Sequence, residues 1–178
     1  MTPSDAFQLA KNHIPSGMVA NLDSLRENEF GFYFNVASEE FLRTGDIIDM
    51  PIGSFGVLVD RQTGEVHDLG SAFNLEYWLE AYDRKLHLPN DVIVHSIGDR
   101  QRAATALCRL QLTYVVPEVA NGVTWNIPKH YNQKDFVRSF ESLPTRFEAQ
   151  QLIFRMLEID AITANTDIEI TLEPKNVG

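Results

Sequence analysis

The chain predicts an α+β fold of two small sheet-plus-helix units, with mainly antiparallel strands and helices packed on one face. Three observations carry this. Short runs of alternating apolar residues recur, as at Phe32-Tyr-Phe-Asn-Val36 and Val123-Thr-Trp-Asn-Ile127. Two pairs of such runs are joined by short turns containing glycine, Asp60-Arg-Gln-Thr-Gly64 and Asn121-Gly122, which make antiparallel hairpins. Between them lies a helical stripe, Leu75, Trp78, Leu79, Tyr82 and Leu86, at a spacing that buries one face.

Taken in order, Thr2-Pro3 opens a helix, with Thr as the cap, Pro at the first position and Asp5 in the first turn. Phe7, Ala10 and Ile14 share its buried face, and Pro15-Ser-Gly17 ends it. Met18 to Leu22 alternates as a strand, Arg26 to Glu29 is a polar turn, and Phe30 to Val36 returns as a second strand. From Ala37 to Ser54 the pattern is irregular. One helical turn is expected at Ser38 to Leu42, and Gly45, Pro51 and Gly53 punctuate a long loop of the kind that often carries function. The hairpin of Phe55–Asp60 and Glu65–Leu69 closes on Gly64 in the left-handed region. Asn74 then caps the striped helix, with Glu76 in its first turn and Arg84-Lys85 expected in its last.

Leu88-Pro-Asn90 is the expected boundary, giving units 1–88 and 89–178. In the second, Val92 to Ile97 is a strand, and Gly98-Asp99 leads into a helix sharing Ala103, Leu107 and Leu110 on one face. Thr113–Val116 and Val123–Ile127 form the second hairpin. Asn132 caps a helix carrying Phe136, Phe140 and Leu143, which Pro144 interrupts. Thr145 with Glu148 makes a capping-box pattern and predicts a helix over Phe147 to Leu157, although Leu152, Phe154 and Met156 also alternate like a strand. Ile168 to Leu172 is a final strand at a sheet edge.

The chemistry on offer is sparse. Cys108 is the single cysteine among 178 residues, so no intramolecular disulfide or cysteine-based metal cluster is expected. The five histidines have no metal-ligand spacing. No phosphate loop, dinucleotide-binding glycine pattern or nucleophile elbow occurs, and no cofactor, metal or catalytic residue is expected. No apolar run approaches the ~20 residues that span a bilayer, and the first residues lack the pattern of a signal peptide. A cytoplasmic protein without membrane or nucleic-acid contact is the expectation.

Charge is distributed unevenly. Residues 1–88 hold six Lys or Arg against fourteen Asp or Glu, and residues 89–178 hold nine against eleven. An acidic first half repels nucleic acid and anionic membrane and steers toward a basic protein. Glu39, Glu40, Asp46 and Asp49 of the long loop are the candidate contacts for such a partner. They lack the pocket that a catalytic carboxylate pair needs. Tyr33, on the strand face opposite Phe32 and Phe34, and Trp125, in the second hairpin, are candidate aromatic anchors, although cores claim a tryptophan such as Trp125 more often.

Four segments together resemble the immunity protein 35 family across about residues 1–86. They are Gly31-Phe-Tyr-Phe34, Phe41-Leu-Arg-Thr-Gly-Asp46, Val59-Asp-Arg-Gln-Thr-Gly-Glu-Val-His-Asp-Leu-Gly70 and Tyr77 to Tyr82. The resemblance implies a small α+β domain found beside polymorphic bacterial toxins, which binds and neutralises a cognate toxin in competition between bacteria. The partner so implied is a toxin domain whose active site is occluded. A nuclease suits the acidic charge best, and an ADP-ribosyltransferase or another enzyme is the alternative. One family member is described as chaperone-like, so a holdase is the second expectation. A homodimer is left open. The residues after Leu88 resemble nothing identified.

Overall fold

The structure is a computed structural model that describes residues 1–50, 53–165 and 167–175. It divides into two compact units, Met1–Arg84 and Lys85–Gly178. Among the described residues the fold is α+β, and every strand pairing is antiparallel.

The first unit is built on a four-stranded meander of β1 (Met18–Glu27), β2 (Gly31–Ser38), β3 (Ser54–Asp60) and β4 (Val66–Gly70), in that spatial order. Strand β1 runs on through the expected turn at Arg26, because Arg26 and Glu27 pair with Tyr33 and Phe32. Helix α1 (Pro3–His13) begins with the expected cap, now a complete capping box: the Asp5 amide donates to Thr2 Oγ1 at 3.2 Å, and the Thr2 amide donates to Asp5 Oδ2 at 3.0 Å. It lays Ala6 and Ala10 on the face that carries Ala20, Phe32, Phe34, Val36, Val57 and Val59. Two small residues let the helix backbone approach these larger side chains.

The opposite face is covered as well. Helix α3 (Leu75–Asp83) buries Tyr77, Trp78, Ala81 and Tyr82, so its buried stripe includes Tyr77 and Ala81 where the spacing pointed to Leu75 and Leu79. Trp78 Nε1 donates to the Gly70 carbonyl at 2.8 Å, and the Tyr82 ring lies 5.0 Å from that of His67, on the Tyr33–Leu58–His67 side of the sheet. The helix stops at Asp83, which leaves Arg84 as its cap and Lys85 beyond it at φ 58°. The expected cations of its last turn therefore lie outside it. Gly31 is required by packing: a Cβ there would stand 1.9 Å from the Val59 carbonyl oxygen.

The second unit has a three-stranded sheet in which β5 (Asn90–Ile97) lies between β8 (Thr145–Gln150) and β9 (Ile168–Pro174). Helices α4 (Arg100–Cys108), α5 (Gln133–Ser139) and α6 (Met156–Thr163) complete it. Ala103, Leu107, Phe136, Phe140, Phe147, Leu152, Ile159 and Ile162 are buried with Val92 and Val94 of the central strand. The expected helix over Phe147 to Leu157 is not formed. Residues up to Gln150 are a strand, since Thr145, Arg146 and Phe147 pair with Val94, Ile93 and Val92, and the helix begins only at Met156.

A separate two-stranded ribbon, β6 (Thr113–Ala120) and β7 (Val123–His130), springs from this unit. It turns at Asn121-Gly122, both at positive φ (52° and 76°), as a two-residue type I′ hairpin requires.

Candidate functional site

Two surfaces expose apolar side chains on well-defined turns, one in each unit. The first is the segment between β2 and β3. Ser38 caps α2 (Glu39–Thr44), with the Phe41 amide donating to Ser38 Oγ at 2.9 Å. Gly45, at φ 71°, ends that helix, and a 3-10 turn follows over Ile47–Asp49. Pro51, expected to punctuate this loop, lies outside the described residues. The tip presents Leu42, Ile47, Ile48 and Met50 to solvent, with Ile47 77% and Ile48 84% exposed. An exposed apolar cluster of this kind is a candidate interaction surface.

The four candidate carboxylates divide by task. Asp46 caps the 3-10 turn, accepting from the Ile48 amide at 3.0 Å. Asp49 accepts from Thr44 Oγ1 at 2.7 Å, while its backbone carbonyl accepts from Ser38 Oγ. Glu40 is held by Arg43 on its own helix, which cancels part of the local charge. Glu39 is exposed at the start of α2. Two of the four acids therefore hold the loop in shape, and the apolar tip between them went unnoticed in the sequence. The signal was present: Ile47-Ile48, set between Asp46 and Asp49, cannot send both side chains into a core from a turn this short.

Tyr33 is corrected. It is 3% exposed, because the sheet face it shares with Leu58 is covered. Gly56 lies under its ring, and a Cβ there would stand 2.6 Å from Tyr33 Cε2. Burial pushes its hydroxyl pKa up to about 12. It is a core residue and no longer a candidate anchor.

The second surface is the β6–β7 ribbon. Every residue from Pro117 to His130 is exposed, and Trp125, which cores claim more often, is 58% exposed. Directly paired residues share a face. Val116 with Ile127, Glu118 with Trp125 and Ala120 with Val123 therefore line one side. Val115 with Pro128, Pro117 with Asn126 and Val119 with Thr124 line the other. Lys129 Nζ bonds Glu118 Oε1 at 3.0 Å, and the pairing of Tyr114 with Lys129 puts this ion pair on the Trp125 side. Its root is held where Tyr131 packs on Phe147 and Phe136, at ring separations of 5.0 and 5.6 Å.

Several titratable groups elsewhere are bound up in structure. His67 packs against the rings of Phe30 and Tyr82, and burial lowers its pKa, outweighing the nearby acids Glu65 and Asp60. His13 meets Asp68 at 3.1 Å, His95 meets Thr171 at 2.9 Å, and His130 meets the Gln111 carbonyl at 3.0 Å. Burial raises the Cys108 thiol, with Asp135 adding to the effect, the opposite of what a nucleophile needs. A cavity of about 360 Å³ between α4 and α6 is lined by Arg102, Arg109 and a single carboxylate, Glu158. Arg102 is tied to Asp167 at 3.1 Å. Among the described residues no group of three or more His, Cys, Asp or Glu could hold a metal ion, and no helix is long and apolar enough to cross a membrane.

An α+β unit with a capped apolar tip thus forms the first half of the chain, and comparison with known proteins places this half. The sequence profile of the immunity protein 35 family, described as "Immunity protein 35", matches residues 6–85. The chain is also similar to the uncharacterized protein YrhB of Escherichia coli (strain K12), 33% identical over 86 residues, which cover 48% of this chain and 92% of that protein. The chain belongs to the immunity protein 35 family. No solved structure matches it.

Proposed function

We propose that this protein is an immunity protein that neutralises a cognate bacterial toxin by occluding the toxin's active site. Family membership over residues 6–85 carries the reading. The acidic balance of residues 1–88 supports it, since fourteen carboxylates against six cations steer association toward a basic cleft. A nuclease domain fits best, because its substrate track is basic and an acidic protein can take the place of phosphate. An ADP-ribosyltransferase cleft would be plugged in the same way. The exposed Ile47-Ile48 tip supplies the apolar contact that slows dissociation, with Glu39 and Glu40 at its rim. The protein acts where such a toxin arrives, in the cytoplasm, without cofactor or membrane.

The test is co-expression with the toxin domain encoded by the adjacent gene. Rescue of growth, together with a stable complex, is the expected result. Failure of both overturns the reading.

A chaperone-like holdase is the second reading, favoured by the exposure of Leu42, Ile47, Ile48 and Met50 together. It predicts that the protein suppresses aggregation of unrelated heat-denatured enzymes, which an immunity protein does not do.

A further inference from the structure

We propose that the cavity between α4 and α6 is a binding site for a small phosphate monoester, with its phosphate on Arg109 and its organic body over Ala106, Ala161 and Ile162. The inference stands apart from the proposed immunity role, because the cavity lies in the second unit, outside the matched residues 6–85.

Small residues make the space. Arg102, Thr105 and Arg109 recur at i, i+3 and i+7, so they share one face of α4 and its C-terminal cap. Ala103, Ala104 and Leu107 are buried on another face. Along the cavity the two helices present Ala106 and Ala161, whose side chains are too short to fill it, and the buried Ile162 adds to the apolar wall. About 360 Å³ is left open, at the small end of the roughly 300–1,000 Å³ usual for small-molecule sites.

The polar groups left for a ligand are mostly donors. Gln101 Oε1 accepts from Gln133 Nε2 at 3.3 Å, and Asn165 Oδ1 accepts from the Asp167 amide at 3.0 Å. Both carboxamide oxygens are thus engaged, while their NH2 groups have no partner among the described residues. Thr105 Oγ1 donates to the Gln101 carbonyl at 2.9 Å and accepts from Gln133 at 3.1 Å. Arg102 is held by Asp167 at 3.1 Å, with Asp99 at 3.9 Å. The one lining carboxylate, Glu158, faces Arg155 at 4.0 Å. Arg109 lines the same cavity and has no ion pair among the described residues.

An unpaired guanidinium beside spare NH2 donors selects an anion rich in acceptors. A phosphate monoester offers three terminal oxygens and nearly two charges, more than a carboxylate does. Its organic part covers the alanines. A cation would meet two arginines against one carboxylate that is already paired, and an uncharged ligand would leave Arg109 unmatched.

The experiment titrates the full, isotope-labelled chain with phenyl phosphate and follows it by NMR. Saturable shifts confined to α4 and α6 are expected, with a dissociation constant of about 1 mM or tighter. Phenol and inorganic phosphate, each carrying half of the probe, are expected to bind about fivefold more weakly or worse. Arg109→Gln, at an exposed position, should weaken phenyl phosphate about tenfold or more with an unchanged melting temperature. Ala161→Phe, also at an exposed position, fills the cavity and should weaken it as much. The site is overturned if no saturable shift appears up to about 10 mM, or if the Arg109→Gln affinity stays within about twofold of wild type. Benzoate binding more tightly than phenyl phosphate would overturn the phosphate assignment and make a carboxylate the head group.

Discussion

The side chain of Gln150 pairs with the backbone of Thr113 as a neighbouring strand would. Its Oε1 accepts from the Thr113 amide at 2.6 Å, and its Nε2 donates to the Thr113 carbonyl at 2.9 Å and to the Glu148 carbonyl at 2.6 Å. Gln150 is buried, so the pairing is shielded from water. One carboxamide ties the first residue of the ribbon to the last residue of β8.

Replacing Gln150 with Leu keeps the bulk and removes every one of these bonds. Partly buried backbone groups of Thr113 and Glu148 lose their partner, at about 1–3 kcal/mol for each group left unsatisfied. We expect about 2–4 kcal/mol of lost stability in urea unfolding and faster hydrogen exchange at Thr113. Gln150→Glu tests the donor separately, since a carboxylate accepts from the amide and cannot donate to the carbonyls. An unchanged urea midpoint for Gln150→Leu would refute the clamp.

Gly31→Ala tests packing in the first unit. The added Cβ would stand 1.9 Å from the Val59 carbonyl oxygen and 3.2 Å from the Arg61 amide nitrogen. These are backbone atoms of the adjoining strand and turn, so neither can rotate away. The expected loss is about 3 kcal/mol or more, visible as a sharply lowered melting temperature or as failure to fold. A variant within about 0.5 kcal/mol of wild type would show that β2 and β3 are not so closely apposed.

What could be read in the sequence and what could not follows from the range of the forces involved. Local chemistry identified the Thr2 and Asn74 caps, both hairpin turns and the edge strand at Ile168, because each is decided within a few residues. The segment after Pro144 reads as a helix because Thr145 and Glu148 carry a helix-capping pattern. Pairing with Val92 to Val94, some fifty residues away in sequence, overrides that pattern. Helix α6 lacks a side-chain cap altogether, so nothing local announced its start. Exposure was hardest to read. Alternation places Tyr33 and Trp125 on their strand faces correctly, but whether a face is covered depends on other elements. Helix α3 covers the face of Tyr33, and the face of Trp125 remains open.

Two buried groups, one in each unit, make acid stability fall with pH in the same direction. His67 has its pKa lowered by burial, so the folded chain favours the neutral ring while the unfolded chain titrates near ~6.5. The stability it contributes is complete above that value and falls as the pH drops through it toward the folded pKa. Asp91 is buried too, which by itself would raise its pKa. The Ala149 amide at 2.8 Å, Lys175 at 3.0 Å and Arg146 at 2.6 Å outweigh that and hold it below the usual carboxylate range. Its contribution is present above ~3.9, the unfolded value, and is lost as the pH falls through the folded pKa. Unfolding followed across pH should therefore show His67→Phe flattening the slope below about pH 6.5, and Asp91→Asn flattening it only below about pH 4. If His67→Phe leaves the higher window unchanged, the burial of the ring is not what sets it.

Ile47 and Ile48 test whether the tip between β2 and β3 binds a partner or merely tolerates exposure. Both are almost fully in solvent, so Ile47→Asp with Ile48→Asp should change stability by no more than about 0.5 kcal/mol per residue. The capping bonds of Ser38 and Asp46 use backbone amides and survive the substitution, so the loop keeps its shape. If the tip is the contact, two carboxylates placed in a desolvated apolar patch should weaken the toxin complex by about 2 kcal/mol or more. Growth rescue would then be lost at low expression of the immunity protein. Placing the same two charges at Leu22 on β1 and Leu157 on α6, both exposed and outside the tip, controls for added negative charge and should leave rescue intact. Equal rescue by the Ile47/Ile48 variant and the wild type would remove the tip from the interface and leave the ribbon of the second unit as the contact to test.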